Sequence, residues 1–369
     1  MRYDRPRPCV QPSTTEFAPE GAVQEGPVTK AATLAEIAQE AGVSAPTVSK
    51  VLNGRADVAP ATRERVEELL QRHGYRRRRG NRQTSPLLEL VFHELESAWA
   101  VEVIRGVENA VREEGLSIVL SESAGHGPGQ SWVDGVLARR PTGVVLVLSD
   151  LDRSLREQLT RRDIPFVVMD PAGDPGQEVP AVGTTNWDGG LAATRHLLDL
   201  GHRRIGLIGG PARMMCSRAR ADGYRAALDM AGIAYDPELV REGDFHHESG
   251  LLLGLELLGL PDRPTAVFAG NDLQALGLYE AARELGLRIP EDLSVVGFDD
   301  LPLARWVGPP LTTVRQPLTE MAETAARLAI DLARGVRPGT LRVDLATSLV
   351  ERSSTAPPRT AGPGPAANG

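Results

Sequence analysis

Two kinds of periodicity divide this chain. Between Leu34 and Leu70 apolar residues recur at three- and four-residue spacing. Leu34, Ile37, Ala38 and Ala41 share one helical face, and Thr33 with Glu36 three residues later makes a capping box. Gly42 suits the left-handed turn that stops a helix. Ser44 caps a second helix, Ala45 to about Asn53, that turns Val48, Val51 and Leu52 inward. It leaves Ala45, Pro46, Thr47, Ser49 and Lys50 outward or at the edge. Pro46 is tolerated there because a first turn needs no amide donors. A third helix opens at Pro60, runs through Val66, Leu69 and Leu70, and ends at Gly74. Three short helices with a tight glycine turn between the first two form a helix-turn-helix.

From Leu87 the pattern changes. Short apolar runs (Leu87–Phe92, Ser117–Leu120, Gly143–Leu148, Phe166–Met169, Arg204–Ile208, Ala266–Ala269 and Leu293–Phe298) alternate with helical stretches such as Ala100–Glu114, Asp188–Leu200, Arg220–Ala231, Asp272–Leu285 and Leu318–Arg334. Alternation of this kind predicts an α/β body of parallel sheets with helices on both faces. There is room for two sheet subdomains, over residues 87–185 and 186–352. Ligands bind such sheets at the carboxyl ends of the strands, which between two lobes means the cleft.

The 41% hydrophobic content of the 369 residues supports real cores, filled mainly by aliphatic side chains because aromatics are only 4%. No apolar run approaches the ~20 residues of a membrane span, and the polar, Pro-rich start lacks the apolar region of a secretory signal, so a cytoplasmic protein is expected. Residues 1–29 are expected to be disordered or to belong to an over-long gene start, and 353–369, rich in Pro, Gly and Ser, a disordered tail. Cys9 and Cys216 are too few for a disulfide framework or a metal cluster. The net charge of −8 hides an asymmetry: residues 30–82 carry eleven basic and six acidic side chains, a net +5, while residues 83–369 carry −12. A basic module on an acidic body points to a polyanion met by the module alone. Enzyme chemistry finds no foothold. There is no phosphate-binding Gly-x-x-x-x-Gly-Lys loop and no Gly-x-Ser-x-Gly elbow, and His246-His247-Glu248 lacks metal-ligand spacing. His202 reads as structural and Cys216 as a buried thiol, so no cofactor or metal is expected.

The run from Thr33-Leu34-Ala35-Glu36-Ile37-Ala38 through Val48-Ser49-Lys50-Val51-Leu52-Asn53-Gly54 closely resembles the headpiece of the lac repressor/galactose repressor family, and the match continues through Val58, Thr62 to Val66 and Gly74-Tyr75. In the body, Gly201-His202-Arg203-Arg204-Ile205, Gly209-Gly210-Pro211, Gly223-Tyr224, Gly270-Asn271-Asp272, Ile289 to Asp300 and Pro310 to Val314 resemble the same family. The resemblance spans about residues 30–350. It implies a homodimeric, ligand-responsive transcriptional regulator, most simply a repressor released from a pseudo-palindromic double-stranded operator by a sugar or oligosaccharide. The alternative is a corepressor-type regulator answering to a nucleobase or another metabolite. The body is expected to resemble a periplasmic sugar-binding protein.

Site residues follow from both lines of reading. Thr47, Ser49 and Asn53 offer donors for phosphate oxygens, and Thr33 and Ser44 sit at helix starts beside them. Ala45, Pro46 and Lys50 fall at the positions that read bases in the family, where Lys50 suits guanine and the two small apolar residues a thymine methyl. Arg63 and Tyr75 contact phosphate or pack the third helix. In the headpiece of residues 30–75 these residues are contiguous. The hinge, 76–86, departs from the family: Arg76, Arg77, Arg78 and Arg79 stand where relatives carry an apolar wedge, and are expected along the minor groove or in a basic linker. For the cleft, the resemblance implies Asp272 and Arg220 as effector ligands, with Phe245 stacking on the ligand and, on a looser match, Trp99 lining it; Asp170 and the Ser149-Asp150 pair, each at a strand end, are further candidates. A simple helix cap is the rival reading for Asp272, with the effector-binding role favoured.

Overall fold

The computed structural model describes residues 34–52, 58–73, 84–95, 98–123, 132–148, 151, 153–336 and 338–359. Thr33, Asn53, Tyr75, Arg76, Arg77, Arg78, Arg79 and the Ser149–Asp150 pair lie outside these residues. The chain divides into two compact units between Arg82 and Gln83.

The first unit holds three helices, α1 (Leu34–Ala41), α2 (Ala45–Leu52) and α3 (Pro60–Arg72). Their apolar faces meet in a core of Ile37, Ala38, Ala41, Val48, Val51, Val58, Val66 and Leu69. Gly42 takes the expected positive φ of 68°, and the Val43 amide returns to the Ala38 carbonyl at 3.0 Å to close α1. Ser44 caps α2: its Oγ accepts from the Thr47 amide at 3.3 Å, and its hydroxyl lies 2.8 Å from that of Thr47.

The second unit is two lobes, each a six-stranded sheet between helices. One sheet has the order β11 (Arg342–Leu345), β5 (Ala181–Thr184), β4 (Phe166–Met169), β3 (Pro141–Val147), β1 (Ser85–Phe92), β2 (Ser117–Glu122). All of its pairings are parallel. On one face, α4 (Ala98–Glu113) and α11 (Leu318–Ala333) bury Val103, Val107, Ala322, Ala325 and Ala329 against Leu88, Leu90 and Val145. On the other, α5 (Trp132–Arg139) and α6 (Arg153–Arg161) cover Val91, Val144 and Val168.

The other sheet runs β12 (Ser348–Val350), β10 (Thr312–Arg315), β9 (Ser294–Asp299), β8 (Ala266–Ala269), β6 (Ile205–Gly209), β7 (Val240–Glu242). Only β12 is antiparallel to its neighbour. Helices α7 (Asn186–Asp199) and α8 (Met215–Met230) cover one face, and α9 (His247–Leu258) with α10 (Asp272–Glu284) the other. Near-continuous apolar strands such as Val295-Val296-Gly297-Phe298 are what a sheet covered on both sides requires.

The lobes do not split at residue 185. The chain leaves the first lobe after β5, returns to it with α11 and β11, and leaves again for β12. The helix from Leu318 therefore belongs to the first lobe, because its Leu318, Met321, Ala325 and Ala329 complete that lobe's core. Nor is the tail from Ser353 free. Residues 353–359 run back along the second lobe, where Ser354, fully buried, accepts from the Thr312 amide at 2.8 Å and donates to the Val295 carbonyl at 2.6 Å. The polar composition that suggested disorder is used to saturate sheet-edge amides. His202 is the anchor, bonded to Thr265 Oγ1 at 2.8 Å and to the Ala356 carbonyl at 2.9 Å, with burial lowering its pKa. Its structural role stands.

Candidate effector cavity and DNA-reading helix

Helix α2 presents Ser44, Ala45, Pro46 and Lys50 to solvent, with Thr47 and Ser49 half-buried at the margins. This is the outward face expected of a base-reading helix. Val48 and Val51 on the opposite side are buried, so the helix is held by its back and leaves its front available. Arg63, on the first half of α3, is half-buried.

In the second unit a cavity opens between the carboxyl ends of the two sheets. Its walls surround about 770 Å³ of space, much of it continuous with open solvent. Arg220, on α8, lies at its floor with 4% of its surface exposed. Its position depends on a close helix crossing. A Cβ on Gly190 would lie 2.2 Å from the Arg220 carbonyl, and one on Gly223 2.2 Å from that of Trp187, so only glycine permits α7 and α8 to approach this closely. The guanidinium donates through Nε to Asn186 Oδ1 at 2.8 Å and through Nη1 to the Gly270 carbonyl at 2.7 Å. Its carbon sits 3.7 Å from the centroid of the Phe298 ring, a cation–π contact.

Two carboxylates line the cavity beside it. Asp299 Oδ1 is 3.9 Å from Arg220 Nη1 and accepts from Gln316 Nε2 at 2.5 Å. Burial pushes its pKa up to about 7 against the pull of Arg220. Asp170 is likewise raised by burial, with Arg220 and Asn186 opposing the shift. Both hold positive φ, 113° for Asp299 and 48° for Asp170, as does Phe245 at 72°. Strained backbone at four lining residues, Leu148 at 48° being the fourth, is characteristic of a ligand site. Apolar surface comes from Phe92, Trp99, Leu148, Met214, Phe245 and Leu273. Trp99, Asp170, Arg220 and Phe245 are thus brought together as expected. Cys216 also lines the cavity, its thiol pushed up to about 12 by burial, which makes it unreactive.

Asp272 is not among the lining residues. The cap of α10 is Asn271, whose Oδ1 accepts from the Gln274 amide at 2.9 Å and whose Nδ2 donates to the Phe245 carbonyl at 2.8 Å. Asp272, one step on and fully buried, accepts from the Leu301 amide at 2.7 Å and the Thr313 hydroxyl at 2.6 Å. Gly297 makes room for it, since a Cβ there would lie 2.4 Å from Asp272 Oδ1. A helix turns ~100° per residue, so adjacent side chains at its start face different ways. Its neighbour Asn271 lines the cavity instead. Asp299, not singled out from the sequence, also lines it and stands directly at the carboxyl end of β9, where ligand-binding residues are sought.

Residues 33–78 match the family model of bacterial regulatory proteins, lacI family, and residues 194–355 that of a periplasmic binding protein-like domain. The HTH-type transcriptional repressor CytR of Escherichia coli K12 is 35% identical over 332 residues, covering 88% of this chain and 96% of the relative. The chain belongs to the lacI family. Another member, the HTH-type transcriptional regulator CelR of Thermobifida fusca, is 37% identical over 333 residues, 87% of this chain and 98% of CelR. Among solved structures, a CelR–cellobiose complex superposes with a TM-score of 0.69 at 36% identity, covering 88% of this chain and 99% of that one. The lac repressor dimer bound to operator and the anti-inducer ONPF gives 0.65 at 29% identity, covering 89% and 100%. This lacI-family chain is a DNA-binding transcriptional regulator with a ligand-binding body, and its relatives are regulators rather than enzymes. Among the described residues no helix is long and apolar enough to cross a membrane.

Proposed function

We propose that this chain is a homodimeric, cytoplasmic repressor without enzymatic activity, released from a pseudo-palindromic operator when a sugar or short oligosaccharide occupies the cavity. The observation that carries the effector class is the pairing of Arg220, Asp170, Asp299 and Asn271 with the aromatic Trp99 and Phe245. Charged planar groups suit vicinal hydroxyls, and aromatic faces suit the apolar side of a pyranose. The CelR structure holds cellobiose in a body of the same fold. A purine or pyrimidine corepressor, the second reading, needs amide-type groups for the edge of a base. Among the described lining residues Asn271 is the one side-chain amide, and it already bonds the Phe245 carbonyl.

On the DNA side, Lys50, Ala45 and Pro46 read bases, while Ser44, Thr47, Ser49 and Arg63, with Thr33 and Asn53, hold the phosphates. Arg76 to Arg79 lie along the minor groove, so replacing all four by alanine flattens the dependence of log K on log salt by several units, each released phosphate contact contributing about 0.9. An unchanged slope reduces them to a linker. The effector reading is tested by thermal-shift screening of the full chain with cellobiose, other mono- and disaccharides, nucleosides and free nucleobases. A ligand at a hundred times its Kd stabilises the fold by ~2.7 kcal/mol. Stabilisation by a saccharide, and loss of operator retention on adding it, is expected. Stabilisation by a nucleobase alone, with tighter operator binding, supports the second reading.

A further inference from the structure

The mouth of the cavity carries a contact between the lobes that effector binding by itself does not explain. Glu94 follows β1 in the first lobe, His246 precedes α9 in the second, and both line the cavity. Their side chains meet at 3.3 Å between Nε2 of His246 and Oε2 of Glu94. On the other side of the ring, Nδ1 faces the Asp244 carbonyl at 3.1 Å and its carboxylate at 3.4 Å. Both nitrogens therefore face oxygens that can only accept. A neutral imidazole has one N–H and satisfies one side only, turning a lone pair toward an oxygen on the other. The arrangement is attractive on both sides when the ring carries both protons.

The histidine is also held in place. Its amide donates to Asp244 Oδ1 at 2.9 Å, and its carbonyl accepts from Ser249 Oγ at 3.0 Å. The preceding Phe245, at positive φ, is fixed by Asn271 Nδ2 and fills the space above Gly210, where a Cβ would lie 2.1 Å from the ring. A contact made by a fixed loop spends less conformational freedom than one between two free side chains.

We infer that Glu94 and His246 form an ionic clasp that closes the effector cavity and helps decide what enters it. The proposal rests on the cavity being the effector site, but not on which effector fills it. An effector small enough to sit beneath the pair leaves the clasp made; a chain that extends through the mouth must displace it. The clasp is strong while the ring carries both protons and weak once one is lost. Other groups around it are His93 beside Glu94, Asp244 on its own loop, Glu248 in the first turn of α9, and His247, which pairs with Glu280 of α10 at 3.5 Å. Glu94 and His246 are each about half exposed, at 47% and 48%, so solvent screens the pair and its effect is modest.

The test needs no effector. Spin labels at Arg153→Cys on α6 and Met230→Cys at the end of α8, in a Cys9→Ser background, report the distance between the lobes. Buried Cys216 does not compete for label. Labelled full-length chains diluted with unlabelled copies are measured by pulsed dipolar spectroscopy at pH 5.5 and 8.5. The ratio of closed to open populations should fall two- to five-fold on going to pH 8.5. Glu94→Gln and His246→Gln should each remove that dependence, and high salt should blunt it in the parent. A parent distance distribution that ignores pH, or a dependence that survives Glu94→Gln, overturns the clasp. Neither outcome touches the saccharide reading, which the thermal screen decides separately.

Discussion

The DNA-reading helix and the effector cavity are built on opposite plans. Ser44, Ala45, Pro46 and Lys50 come from one short stretch and stand in solvent, their geometry set by a single helix whose back is buried. Arg220, Asp170, Asp299 and Asn271 come from four distant places and are all buried; Arg220 and Asn271 are bonded to backbone carbonyls, and Asp299 to the Gln316 side chain. A face of the first kind is tuned by exchanging surface residues at little cost in stability. A cavity of the second kind couples recognition to folding, because its ligands are part of the core.

That difference predicts the largest effect at Arg220. Arg220→Met leaves Asp170 and Asp299 without their cation, and removing one partner of a buried ion pair costs ~3–5 kcal/mol. Chemical denaturation should show a loss of that order, together with loss of effector response. A loss under ~1 kcal/mol would mean the two carboxyls are protonated in the resting protein. Next comes Asp272. Asp272→Ala strands the Leu301 amide and the Thr313 hydroxyl, each costing ~1–3 kcal/mol when buried and unpaired. Asp272→Asn keeps an acceptor for one and a donor for the other, and should recover most of the stability in the same assay.

The contrast also explains what could be read from the sequence. The first two helices, their turn and the outward residues are local: Ser44, Gly42 and the Val48/Val51 spacing fix them between Leu34 and Leu52. The parallel strands were legible as apolar runs. Lobe membership was not, because α11 returns to the first sheet through contacts that pair Gly106 with the Thr319 carbonyl, more than two hundred residues away. Short strands such as Ala181–Thr184 and Arg342–Leu345 were missed since each carries too few residues to show a period. Asp272 and Asn271 are neighbours in sequence, and the sheet packing around Gly297 decides which of them faces the cavity. The tail was misread because its serines bond to strands that composition alone does not bring near.

On the exposed face, effects are smaller. Lys50→Ala should weaken operator binding by ~1–3 kcal/mol and relax preference at one base position, as read by anisotropy on a substituted operator series. Equal losses on operator and random DNA would make Lys50 a phosphate contact. The smallest expected effect is a pH trend in the body. Because Asp299 and Asp170 have carboxyl pKa values raised on folding, their contribution is full below the ordinary carboxylate range. It is lost as pH rises toward 7. The body should therefore melt a few degrees lower at pH 8 than at pH 5.5, and Asp299→Asn should flatten the trend. A trend of the same size in Asp299→Asn would assign it elsewhere.

The most direct test of the site is a calorimetric titration of the full chain with the saccharide selected by the thermal screen, comparing Asp299→Asn with Asp272→Asn. Asp299 lines the cavity and Asp272 braces its floor. Asp299→Asn should lose binding by at least tenfold while still holding operator DNA, and Asp272→Asn should bind within about threefold of the parent, since an intact bidentate brace changes no ligand contact. Loss of binding in Asp272→Asn, with Asp299→Asn unaffected, would contradict this assignment of the effector site.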